Sequence, residues 1–183
     1  MTKRSLTAEE LAIAAYNLAT EIRQMSEFHE LTVKYNIDGP PLVRGACLEA
    51  MLSRARFLVE FLAGRPGRRD TRDVHPTDFV QQWEPSPHLR EMLADIDAYV
   101  AHFTILRATA PTGKWWNIDD IGAVLDEFER FTAVAEQEPG NPFGPTFRDG
   151  LTLARAAMRR TDGLRLPIPP FRSWPRLSGI QDS

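Results

Sequence analysis

Cysteine is nearly missing from this chain: Cys47 stands alone in 183 residues. No internal disulfide and no thiolate metal cluster can form. A lone cysteine without a disulfide framework fits a reducing compartment. Cys47 lies in an apolar helical stretch and reads as a buried, inert thiol. Long apolar runs are also missing. No stretch reaches the roughly 18 residues a membrane span needs, and Met1 to Glu10 carries no apolar signal-peptide core. A cytoplasmic protein with no membrane partner is therefore expected. Excess charge is small. A net charge of −3 argues against a broad electrostatic surface for nucleic acid, though it leaves room for a local patch. Lysine is scarce, 3 against 19 arginines, a bias that points to a GC-rich genome rather than to a function.

Signature motifs are missing as well. There is no phosphate-binding G-x-x-x-x-G-K-[ST], no G-x-G-x-x-G, no H-E-x-x-H and no G-x-S-x-G. His29, His75, His88 and His102 fall in separate segments, with no pair spaced to share one helical face. No metal and no cofactor is expected.

Helical periodicity is abundant. Thr7 and Glu10 form a capping-box pattern, after which Leu11, Ala15, Leu18, Ile22 and Met25 mark one stripe of a helix reaching about Lys34. Gly39, Pro40 and Pro41 break it. A second helix is expected from Pro41 to Ala63, with Cys47, Met51, Leu58 and Phe61 on one face and Val43, Ala50, Phe57 and Leu62 beside them. Gly64 suits the left-handed position past its end. Thr77, as N-cap, is expected to open a short helix to Trp83. Ser86 and Pro87 start a longer one to about Arg107. Further helices are expected from Trp115 to about Glu136 and from Pro145 to Arg160, the last ending at Gly163. No segment alternates with period two. The pattern reads as an all-α, up-and-down bundle of about five main helices. It assigns residues 1–163 to the bundle and 164–183 to an extended Pro-rich tail.

Two arginines interrupt the apolar face of the second helix. Arg54 falls between Met51 and Leu58, and Arg56 precedes Glu60 by one turn. Arginines so placed can lay their stems on apolar surface with wet heads. Alternatively, an arginine pointing into a bundle meets a carboxylate or an anionic ligand. Arg56 and Glu60 can also pair along the helix. His102 falls near a helix end, where the helix dipole favours it. In a site it would act as a general base or a donor to RNA.

Residues Ala55 to Leu62 resemble the A-R-N-L-[IV]-[DE]-F-[LF] segment of a family of small bacterial helical proteins. Asp78-Phe79 resembles that family's acidic-aromatic pair. His102 to Arg107 resembles its H-L-T-x-x-R segment, and Trp115 or Trp116 the tryptophan that opens its next helix. The resemblance covers roughly residues 40 to 135. That family is similar to the HEPN group of helical bundles, many of which cleave RNA in toxin or defence systems. The resemblance thus implies a polar set of Arg56, Asp78, His102 and Arg107, brought together if the second and fourth helices pack antiparallel. The chain departs from the HEPN signature, since Arg56 is followed by Phe57, and Phe61, Leu62 and Ala63 stand where its histidine belongs. Arg23 with His29, and Arg68 or Arg69 with His75, keep the spacing at about the frequency chance gives.

The tail carries Leu164, Leu166, Ile168, Phe171, Trp174 and Leu177 among four prolines. A disordered tail is usually poor in such residues. Docking in a groove is expected, with Phe171 and Trp174 as anchors, on its own bundle or on a second subunit. The expected function is a binding or assembly module, partnered by itself as a homodimer or by another protein. The alternative is a HEPN-like ribonuclease or defence component, for which RNA would be the partner and His102, Arg56 and Arg107 the catalytic candidates. Arg54, Asp78, Phe171 and Trp174 are the binding candidates.

Overall fold

The structure, a computed structural model, describes residues 6–38, 40–64, 74–95 and 120–161. These are 81% helical and contain no strand, as the periodicity requires. Among the described residues there are five α-helices: α1 (Ala8–Asp38), α2 (Pro41–Ala63), α3 (Pro87–Asp95), α4 (Asp120–Gln137) and α5 (Gly144–Arg159). No helix among the described residues is long and apolar enough to cross a membrane.

Local chemistry sets most of the helix ends. The Thr7 N–H donates to Glu10 Oε2 at 2.8 Å and the Glu10 N–H to Thr7 Oγ1 at 3.2 Å, so the capping box forms as read. A cap of this kind is worth ~1 kcal/mol. α1 continues one turn past Lys34, and only Gly39 and Pro40 separate it from α2. α2 closes at Gly64, where φ is +62° and the N–H donates to Phe61 O at 3.2 Å. That backbone suits glycine because it lacks a Cβ. Ser86 caps α3, its Oγ accepting the Leu89 N–H at 3.1 Å.

One helix start differs from the sequence reading. Pro76–Asp78 is a single 3-10 turn with His75, not Thr77, in the cap position. Pro76 has a fixed φ and no N–H to satisfy, which suits the first helical position. The Asp78 carboxylate reaches back to accept the His75 N–H at 2.8 Å.

Side-chain contacts fix the helix directions. Arg54 of α2 pairs with Glu21 of α1 across a tight turn, so these helices run antiparallel. Gly150 of α5 lies against Ala19 of α1, and Arg160 reaches Glu30 at 2.9 Å. Both numbers rise together, so α5 runs parallel to α1. Arg148 meets Glu136, and Arg155 meets Asp126, so α4 and α5 are antiparallel. α1 packs between α2 and α5, and α4 covers α5 and α2 from the other side.

The stripes share one core. Ala15, Leu18, Ile22 and Met25 meet Met51, Leu58 and Leu62, Ile121, Val124 and Leu125, and Leu151 and Ala154. Each fully buried large aliphatic side chain contributes roughly 1.5–3 kcal/mol. Phe61, Phe79, Phe128, Phe131, Phe143 and Phe147 pack mostly edge to face, with centroids 5.3–6.2 Å apart, a geometry that suits the ring quadrupole. Val43 and Phe57 were expected beside the core stripe of α2 but are 38% and 47% exposed. The core side of α2 is set by α1, α3 and α4, and these two residues fall off it.

Candidate functional site

Arg54 is the first polar group to consider, because its register on α2 aims it at α1. Its guanidinium pairs with the Glu21 carboxylate and lies 5.6 Å from the Phe28 ring centroid. Both partners come from α1, seven residues apart, so two turns of one helix frame a side chain from the other. The pair is about three-quarters shielded from solvent, which strengthens it over a surface pair. An anionic ligand reaching Arg54 would compete with Glu21 for the same guanidinium. Arg56, two residues and about 200° further round, donates from Nε to Glu60 Oε1 at 2.8 Å along α2.

A second polar node lies at the C-terminal end of α2. The Trp83 indole N–H donates to Leu62 O at 2.7 Å, satisfying one of the last carbonyls of α2. The Arg130 guanidinium of α4 lies over the same indole, 4.0 Å from the centroid, and donates to Glu84 O at 2.5 Å. Glu127, one turn earlier on α4, accepts from Arg130 at 2.5 Å and from the Ser86 N–H at 3.0 Å. Burial pushes the Glu127 carboxyl upward, but Arg130 and the Ser86 N–H outweigh it and hold it below the usual range. Two residues of α4 thus clamp the connection between α2 and α3. Periodicity alone does not reveal the node: Trp83 sits in an aperiodic connection, and its partners are 21 and 47 residues away in sequence.

Three further arginines pair with carboxylates of another helix. Arg148 holds Glu136 at 2.6 Å, Arg155 holds Asp126 and Glu129 at 2.5 and 2.8 Å, and Arg160 holds Glu30. Arg148 lowers the Glu136 carboxyl and Arg160 lowers Glu30 by donating hydrogen bonds to the charged carboxylate. Among the described residues no group of three His, Cys, Asp or Glu side chains could hold a metal ion.

Of the sequence-derived candidates, Arg54 lies in the α1–α2 seam, Arg56 beside Glu60, and Asp78 on the His75 N–H. His102, Arg107, Phe171 and Trp174 lie outside the described residues. The Arg23 and His29 spacing match falls on α1, where Arg23 faces Glu27 at 3.6 Å and His29 is buried. Cys47 is buried. No protein-family model matches the chain, and searches of curated proteins and of solved structures return no relative.

Proposed function

We propose that this chain is a helical binding or assembly module whose partner is a second copy of itself or another protein. One observation supports the reading most. Ile13 and Tyr16, one turn apart on the outer face of α1, are 56% and 67% exposed, on the longest of the described helices. The arginines of the α1–α2 and α4–α5 seams are paired with carboxylates. These seams therefore fix the bundle, and the exposed apolar pair on α1 is a surface that takes no part in holding it together. Light scattering of the full chain from low to high micromolar concentration tests the self-associating form. A mass that rises in the native chain and stays monomeric in Ile13→Ser/Tyr16→Ser is the expected result. A concentration-independent monomer unaffected by the double substitution removes the self-assembly reading.

The HEPN-like ribonuclease reading rests on the resemblance of His102 to Arg107. Incubating the chain with RNA in chelator separates the two. Intact RNA keeps the binding reading, whereas cleavage that is lost in His102→Ala replaces it.

A further inference from the structure

The turn between α1 and α2 ends in an apolar surface. Leu42 is 84% exposed and Val43 38%, and Gly45 and Ala46 beside them are exposed as well. Among the described residues, burial on α2 begins at Cys47 and burial on α1 ends at Val33. The hairpin tip therefore projects beyond the shared core with apolar residues on its α2 side. A helix start facing water would ordinarily be polar.

The direction of α5 leads the chain to this tip. α5 runs parallel to α1, and its end is pinned there: Arg160 holds Glu30, and Thr161 is buried, its hydroxyl donating to Met158 O at 2.7 Å. α1 continues eight residues past Glu30 to Asp38, about 12 Å at the helical rise. The chain beyond Thr161 has four prolines and six large apolar residues up to Leu177. In a polyproline conformation it would advance about 3.1 Å per residue, so Leu164 to Phe171 has more than the length needed to reach and cross the tip.

We propose that the segment Leu164–Leu177 docks on the hairpin tip of its own molecule, with Leu42 and Val43 as the seat and Phe171 and Trp174 as the anchors. Its prolines lower the entropy lost on docking. Tethering favours this occupant over a second copy, because a short linker holds the segment at an effective millimolar concentration. The seat differs from the outer face of α1, so the proposal stands apart from the assembly reading.

Hydroxyl-radical footprinting of the full chain, read by mass spectrometry, tests it reciprocally. Leu42→Asp should raise Trp174 oxidation severalfold, and Phe171→Ser/Trp174→Ser should raise Leu42 oxidation similarly. Both effects should hold at a concentration where light scattering gives the monomer mass. Leu42 is exposed, and an aspartate in a first helical turn suits the dipole, so that variant keeps its fold. Unchanged oxidation at both sites overturns the proposal. Protection that appears only as the mass doubles overturns it in favour of exchange between copies.

Discussion

A methyl group added at Gly150 and one added at Gly122 meet different surroundings. At Gly150 it would lie 2.7–2.8 Å from the backbone O, Cα and Cβ of Ala19, closer than atoms can pack, while at Gly122 nothing lies within 4 Å. Replacing a helical glycine by alanine gains up to ~1 kcal/mol in propensity. Against that, overpacking against fixed backbone costs ~1–3 kcal/mol. Gly122→Ala should therefore raise stability by up to ~1 kcal/mol, and Gly150→Ala should lower it by ~1–2 kcal/mol. Urea unfolding midpoints measure both. A Gly150→Ala chain as stable as the parent would mean that α5 does not lie so close against α1. Arg54 shows where reading residues singly stops. Its place on the apolar stripe marks it as a group needing a partner, but Glu21 is 33 positions away, and only the antiparallel turn at Gly39-Pro40 brings them together.

Helices were legible where the signal is local. The Thr7/Glu10 capping box, Ser86 before Pro87, Gly64 past α2 and the three-four spacing of the apolar stripes each act within about one turn. The connection through Trp83 was not, because a single indole in an aperiodic stretch carries no register. Its role depends on Leu62 ending α2 and on α4 supplying Glu127 and Arg130. Polar candidates were only partly legible for the same reason. Arg56 finds its partner inside its own helix, whereas Asp78 serves a 3-10 turn whose start was read two positions late. The clamp can be tested by Trp83→Phe, which keeps an aromatic ring and removes the N–H. Leu62 O would then lose its partner at a buried helix end, costing ~1–3 kcal/mol. The stacking of Arg130 would weaken by a further fraction of ~1 kcal/mol. In a chain of this size each kcal/mol lowers the melting temperature by about 2–4 °C. A Trp83→Phe melting point within a degree of the parent would show that the indole N–H contributes nothing net to closing α2.

For the molecule as a whole, three carboxylates joining different elements share one electrostatic condition. Glu30 links α1 to Arg160, Glu136 links α4 to α5, and Glu127 links α4 to the cap of α3. Each is held below the ordinary carboxylate value of about 4.5. A carboxyl whose pKa is lower folded than unfolded stabilises the protein above the unfolded value. That contribution is lost as pH falls through the folded value, so the acid limb of stability should begin below about pH 4.5. The three should not contribute equally. The Glu30 and Glu136 side chains are 29% and 35% exposed, where screening leaves such pairs ~0–1 kcal/mol. Glu127 is only 10% exposed and accepts from both a guanidinium and a backbone N–H, which is worth ~1.5–3 kcal/mol. Acid also raises the net positive charge of every variant alike, so the informative quantity is a difference. Glu127→Gln should be less stable than the parent by ~1.5–3 kcal/mol at pH 7, and the gap should narrow steadily below pH 4.5 as the parent's own carboxylate protonates. Denaturant unfolding of both chains across pH 7 to 3 measures it. In 1 M salt the Glu127→Gln gap should largely persist, because the Glu127 carboxylate is itself shielded and also accepts from a backbone N–H, while that of Glu136→Gln should shrink. A Glu127→Gln gap that stayed constant with pH would show that the stabilisation does not come from the charge of the carboxylate.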